Sequence, residues 1–171
     1  MNRSIAMLCL LAACTDGSSP YGPDRDDVSD IPAGDATGTT ATGEYELQLY
    51  TADCLGDCPV IRSGIFSVSL CDVGEVDEQT VDVTQTDGRL VMIGEGLQVE
   101  RLTGGVDADG TFEVGGWGTQ NGGDVEVAIL STGTLAGARF TGTAESRGHG
   151  SIDGQSIDCT AVYEVAGARE P

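Results

Sequence analysis

Ile157-Asp158-Cys159-Thr160-Ala161-Val162-Tyr163-Glu164-Val165 decides the fold. Ile157, Cys159, Ala161, Tyr163 and Val165 fall on one side of an extended chain. Asp158, Thr160, Val162 and Glu164 fall on the other. Side chains alternate across a β-strand, so this pattern predicts a strand with one face turned to a core and one to water. The same period of two recurs upstream. Tyr45, Leu47 and Leu49 alternate with Glu44, Glu46 and Gln48, and Phe66, Val68 and Leu70 alternate with Ser67, Ser69 and Cys71. Val81 and Val83 flank Asp82, while Val125, Val127 and Ile129 flank Glu126 and Ala128. No stretch of helical period is long enough to compete.

Between these runs stand Asp87-Gly88, Asp109-Gly110, Asn121-Gly122 and Asp153-Gly154, with Ala136-Gly137 as a further turn. Such dipeptides accept the positive φ that tight hairpins require. About nine strands joined by short turns form an antiparallel β-meander. A meander of this size manages its edges by closing into a barrel or by folding into two packed sheets. The preferred expectation is a small up-and-down barrel over residues 45–169, with a two-sheet sandwich as the alternative. In general style it resembles lipocalin-like bacterial domains. Val106-Asp107-Ala108-Asp109-Gly110-Thr111-Phe112 and Leu135-Ala136-Gly137-Ala138-Arg139-Phe140 echo one another, each returning a phenylalanine to the core after a glycine turn.

Charge narrows the function. The chain of 171 residues carries 28 acidic and 8 basic side chains, for a net charge of −20. Every basic residue is an arginine. The strongly acidic surface argues against nucleic acid, whose phosphates need basic contacts, and the absence of lysine removes Schiff-base chemistry.

The N-terminus adds an address. Arg3 precedes an apolar run over residues 5–13, the layout of an export signal, and that run is too short to span a bilayer. Leu11-Ala12-Ala13-Cys14 resembles the lipobox of bacterial lipoproteins. That resemblance implies cleavage after residue 13, acylation of Cys14, and attachment to the bacterial envelope by a lipid anchor. Thr15, where enteric inner-membrane lipoproteins carry Asp, points to the outer membrane. Residues 14–43 are rich in Gly, Ser, Thr, Asp and Pro, and predict a disordered acidic spacer. Residues 44–171 then form the β-domain, large enough for a core.

Cys54, Cys58, Cys71 and Cys159 lie in the exported part, an even number that predicts disulfides in an oxidising compartment. The first expectation is Cys54–Cys58 closing a loop and Cys71–Cys159 joining strands; the two other pairings remain open. Four thiolates would alternatively suit zinc. A close cysteine pair in an early loop resembles an envelope lipoprotein family that senses copper and surface contact. That likeness implies a metal-responsive alternative.

The remaining candidates are weighed on their chemistry. Asp107 and Asp109 form half of a calcium loop, but twelve positions on from Asp107 stands Gly118, not the bidentate Glu such a loop needs; an Asp-Gly turn is the simpler reading. Trp117, the only tryptophan, lies between glycines and is expected to plug the core, a stacking platform being the other use. His149, the only histidine, is read as an exposed residue of a glycine-rich loop without a positioned partner. Glu75, Asp77 and Glu78 are close together, as carboxylates in so acidic a chain will be. No catalytic residues and no cofactor are expected. The functional expectation is a non-enzymatic, lipid-anchored binding or structural module. Its partner would be a protein or small molecule, and a carrier of one apolar ligand is a sub-case.

Overall fold

The computed structural model describes residues 21–63, 66–94 and 98–170; Cys14 and the lipobox lie outside them. Ten strands are present among the described residues. Eight of them close into one antiparallel barrel. In chain order they are β1 (Gly43–Asp57), β4 (Val76–Thr86), β5 (Arg89–Gly94), β6 (Arg101–Val106), β7 (Thr111–Gln120), β8 (Val125–Ala136), β9 (Arg139–Ile152) and β10 (Gln155–Arg169). Each strand from β4 to β10 pairs with the next, and β1 closes the ring by pairing with both β4 and β10. The short hairpin of β2 (Val60–Ser63) and β3 (Phe66–Ser69) is an excursion between β1 and β4. The structure is thus the up-and-down barrel, consistent with a lipocalin-like all-β fold, and not the sandwich.

The expected turns lie where the dipeptides stand. Asp87, Asn121 and Asp153 adopt φ of 50°, 51° and 51°, a region that Asn and Asp tolerate better than other side chains. What Gly88 supplies is space, since a Cβ there would lie 1.8 Å from the carbonyl oxygen of Gly34.

Alternation becomes burial in register. Along β10, Ile157, Cys159, Ala161 and Val165 are buried while Glu164 is exposed. Glu46, Asp82, Thr84 and Glu113 face outward to water. The barrel is therefore apolar inside and polar outside, the reverse of a lipid-facing barrel. One end is solidly packed by Tyr45, Leu90, Val83, Val114, Phe112 and Phe140. The rings of Phe112 and Phe140 stand 4.6 Å apart at a tilt of 39°, a favourable aromatic contact.

Residues 21–42 do not behave as the predicted disordered spacer. They form a strap fastened to the barrel. Asp24 caps a one-turn helix, α1 (Arg25–Ser29), with a capping box to Asp27. Val28 and Ile31 are buried over Gly115 of β7, where a Cβ would lie 2.8 Å from atoms of both side chains. Further on, the Gly34 amide donates to the Gly88 carbonyl and the Ala36 amide to the Val106 carbonyl. Asp35 and the β6–β7 turn bond reciprocally: the Asp35 amide donates to Asp107 Oδ1 at 3.1 Å, and the Ala108 amide to Asp35 Oδ1 at 2.7 Å. The strap ends by covering the packed end, where the buried Tyr45 hydroxyl donates to the Ala41 carbonyl and Gln85 Oε1 accepts the Ala41 amide. Composition pointed to disorder because the strap's few apolar residues are scattered. Val28, Ile31 and Ala41 are nevertheless buried against the barrel.

The disulfides are Cys54–Cys71 and Cys58–Cys159, so the first expected pairing is overturned. The reason is local. Cys54 lies inside β1, which runs on to Asp57. Four residues of extended chain span about 13 Å, against the 4.4–6.8 Å between Cα atoms that a disulfide requires. A register shift between Thr51 and Asp53 turns the end of β1 so that Gly56 faces Cys159 across the β1–β10 ladder. Cys58, two residues further, reaches Cys159 at a Cα separation of 4.6 Å.

Candidate functional site

The site is the middle of the barrel. Large inward side chains at the packed end give way to small ones along β8 and β9. After Leu135 and Phe140 the inward positions are Gly133, Ser131, Gly142, Ala144 and Ser146. Strand spacing is set by backbone hydrogen bonds and does not contract around small side chains. The missing side-chain volume therefore persists as a cavity of about 340 Å³, within the range of small-molecule sites.

Leu47, Met92, Leu102, Ile129 and Val165 form its apolar wall. Its polar groups are Asp77, Gln79, Gln98, Ser131, Ser146 and Tyr163. Asp77 and Gln98 are exposed and mark the mouth, while Tyr163 is half-buried. Gln79 Oε1 is buried with no hydrogen-bond partner among the described residues, a condition that costs stability until a donor arrives. Tyr163 has its pKa raised, first by burial and then by the negative charges of Asp77 and Glu75, both of which disfavour a tyrosinate.

Gln98, at the mouth, stands between two adjoining spaces. Its Oε1 accepts from Ser146 Oγ at 2.9 Å, and its carbonyl accepts from Gln120 Nε2 at 2.9 Å. Beyond it lies a second void of about 100 Å³ beneath Leu70, Ile152 and Ile157. Gln98 and Ser146 line both spaces.

Of the residues weighed in the sequence as candidate functional groups, only Asp77 belongs to this site. All four cysteine sulfurs described are paired and offer no thiolates. Asp107 and Asp109 serve the β6–β7 turn. Asp107 holds the strap, and Asp109 Oδ1 accepts the Thr111 amide at 2.8 Å. That bond lowers the Asp109 pKa. Among the described residues no group of three or more His, Cys, Asp and Glu is arranged to hold a metal ion.

Trp117 is not the expected core plug. Gly116 and Gly118 face inward toward Val99, which turns Trp117 out, 37% exposed, with the Arg25 guanidinium 3.8 Å from its ring centroid. This cation–π contact joins strap to barrel. His149 lies in strand β9, not in a loop, exposed between Glu126 and Asp158 of the neighbouring strands. Beside it Arg147 makes a two-pronged ion pair with Asp158, Nε to Oδ1 at 2.7 Å and Nη2 to Oδ2 at 3.0 Å. The Arg147 hydrogen bond lowers the Asp158 pKa, against a smaller opposing effect of burial.

The sequence reading missed the cavity itself. Its signal was present as a run of small residues at inward parity, Gly142, Ala144, Ser146 and Gly148, the first two opposite the equally small Gly133 and Ser131.

Fold and site together define a class: a closed eight-stranded antiparallel barrel with a mostly apolar internal chamber and a polar mouth. No protein-family model matches the sequence, and no curated protein matches it.

Proposed function

We propose that this chain is a lipid-anchored protein of the bacterial envelope whose barrel binds and carries one small apolar ligand, without turning it over. The observation that carries the reading is the chamber of about 340 Å³ inside the barrel. A purely structural barrel of eight strands fills its interior with side chains, whereas this one narrows them to Ala144, Ser131 and Ser146 where the space lies. At roughly 30 Å³ per water-sized unit, the chamber takes a ligand of about eleven non-hydrogen atoms. The anchor is assigned from Leu11-Ala12-Ala13-Cys14, with the outer membrane as the preferred location.

Two measurements test the two halves. Native mass spectrometry of protein gently extracted from the producing cell should show a bound small molecule that is lost on unfolding. Recovery of ligand-free protein that also takes up no apolar probe would end the carrier reading. Radiolabelled palmitate should appear on the wild-type chain and not on Cys14→Ser; equal labelling of neither would end the anchor reading and leave the barrel reading untouched.

A further inference from the structure

We infer that the chamber selects a single-chain amphiphile with a protonated amine at its head, and rejects one ending in a carboxylate or phosphate. The inference rests on the carrier reading and adds the chemistry of the ligand. Gln79 and Asp77 are two residues apart on β4 and share its inward parity, opposite Leu47 and Leu49 of β1. Two residues of strand separate them by about 7 Å. Gln79 Oε1 is a buried acceptor that lacks a donor among the described residues. An ammonium group bears N–H donors and no acceptor, so it faces the Asp77 carboxylate at the mouth and, once the Gln79 amide turns toward the chamber, completes Gln79 as well. The apolar tail then lies along Leu47, Met92, Ile129 and Val165.

The opposite sign has no partner here. Among the described residues Asp77 is the only charged one that lines the chamber, and none of its lining residues is an arginine. Lysine is absent from the whole chain. Glu75 and Asp77 both act on Tyr163 with negative charge, so the field at the mouth is that of carboxylates. An anionic head entering this space would lose its water and gain a like charge, which is strongly unfavourable.

Calorimetric titration of the full exported chain with decylammonium, decanol and decanoate, each below its micelle concentration and at physiological salt, separates the cases. Decylammonium should bind tightest, with decanoate about tenfold or more weaker. Asp77→Asn, at an exposed position, should bring the two within about twofold. Ala144→Leu, which fills the chamber, should abolish decylammonium binding. Decanoate binding as tightly as decylammonium would overturn the inference while leaving the carrier reading intact. Failure of all three probes to bind would remove the carrier reading and this inference with it. Decylammonium bound equally well by Ala144→Leu would place it on the acidic exterior and overturn the inference. Where Ala144→Leu does not fold, an unchanged preference in Asp77→Asn overturns it instead.

Discussion

Removing the two disulfides one at a time should give unequal losses. Cys54–Cys71 closes 17 residues of sequence and Cys58–Cys159 closes 101. In the chain-entropy account a crosslink restricts the unfolded chain in proportion to the logarithm of the loop it closes. That gives about 3.1 kcal/mol for the short loop and about 4.7 kcal/mol for the long one at 25 °C. Leaving the short bond in place barely shortens the route between Cys58 and Cys159, so the two figures stay nearly independent. The perturbations are Cys54→Ser with Cys71→Ser, and Cys58→Ser with Cys159→Ser. Urea unfolding followed by far-ultraviolet circular dichroism, with both variants and the parent at 25 °C, reads the difference directly. The long-loop variant should be less stable than the short-loop variant by about 1.6 kcal/mol. Equal losses, or a larger loss from the short loop, would refute the reasoning and place the stabilisation in native contacts at the rim.

Three further outcomes follow from the packing and the charges. Gly115→Val should expel Val28 and Ile31 and cost about 2–4 kcal/mol, seen as faster hydrogen exchange at the Gly34 and Ala36 amides with the barrel amides still protected. Phe140→Ala, at a side chain 2% exposed against Phe112, should cost about 3–5 kcal/mol in the same urea assay. Asp158→Asn should cost about 1 kcal/mol at neutral pH. The folded Asp158 has a lowered pKa, so its contribution is present above the unfolded value of about 3.9 and is lost as pH falls through the folded value. Melting curves of parent and variant should therefore converge in strong acid, and a gap that persists unchanged there would count against the ion pair.

The strands and hairpins are legible because they are encoded locally. Alternation such as that from Ile157 to Val165 needs only neighbouring residues to be read, and Asn121-Gly122 or Asp153-Gly154 declares its turn within two positions. The strap is illegible for the opposite reason. Val28, Ile31 and Ala41 look isolated in an acidic, glycine-rich stretch, and their sites at Gly115 and Gln85 lie far along the chain. The disulfide pairing is hidden by the irregularity after Thr51, which shifts register without a sequence marker. Trp117 misleads because aromatic size suggests burial, whereas the parity of Gly116 and Gly118 decides its face. The cavity is encoded by what is missing from inward positions, and a pattern search tuned to large apolar side chains passes over it.

The seam between β1 and β10 sets the order of assembly. Every other junction of the ring joins strands adjacent in the barrel's own sequence, but this one brings Tyr45 beside Arg169. The strand made first thus waits for the strand made last before its second edge is satisfied. The meander from β4 onward can zip hairpin by hairpin, while ring closure is postponed until β10 is in place. Long-range pairing of this kind is slow because the ends must first find each other. Cys58–Cys159 lies on that same seam, so a chain refolding with the bond intact starts with its two distant strands already leashed together.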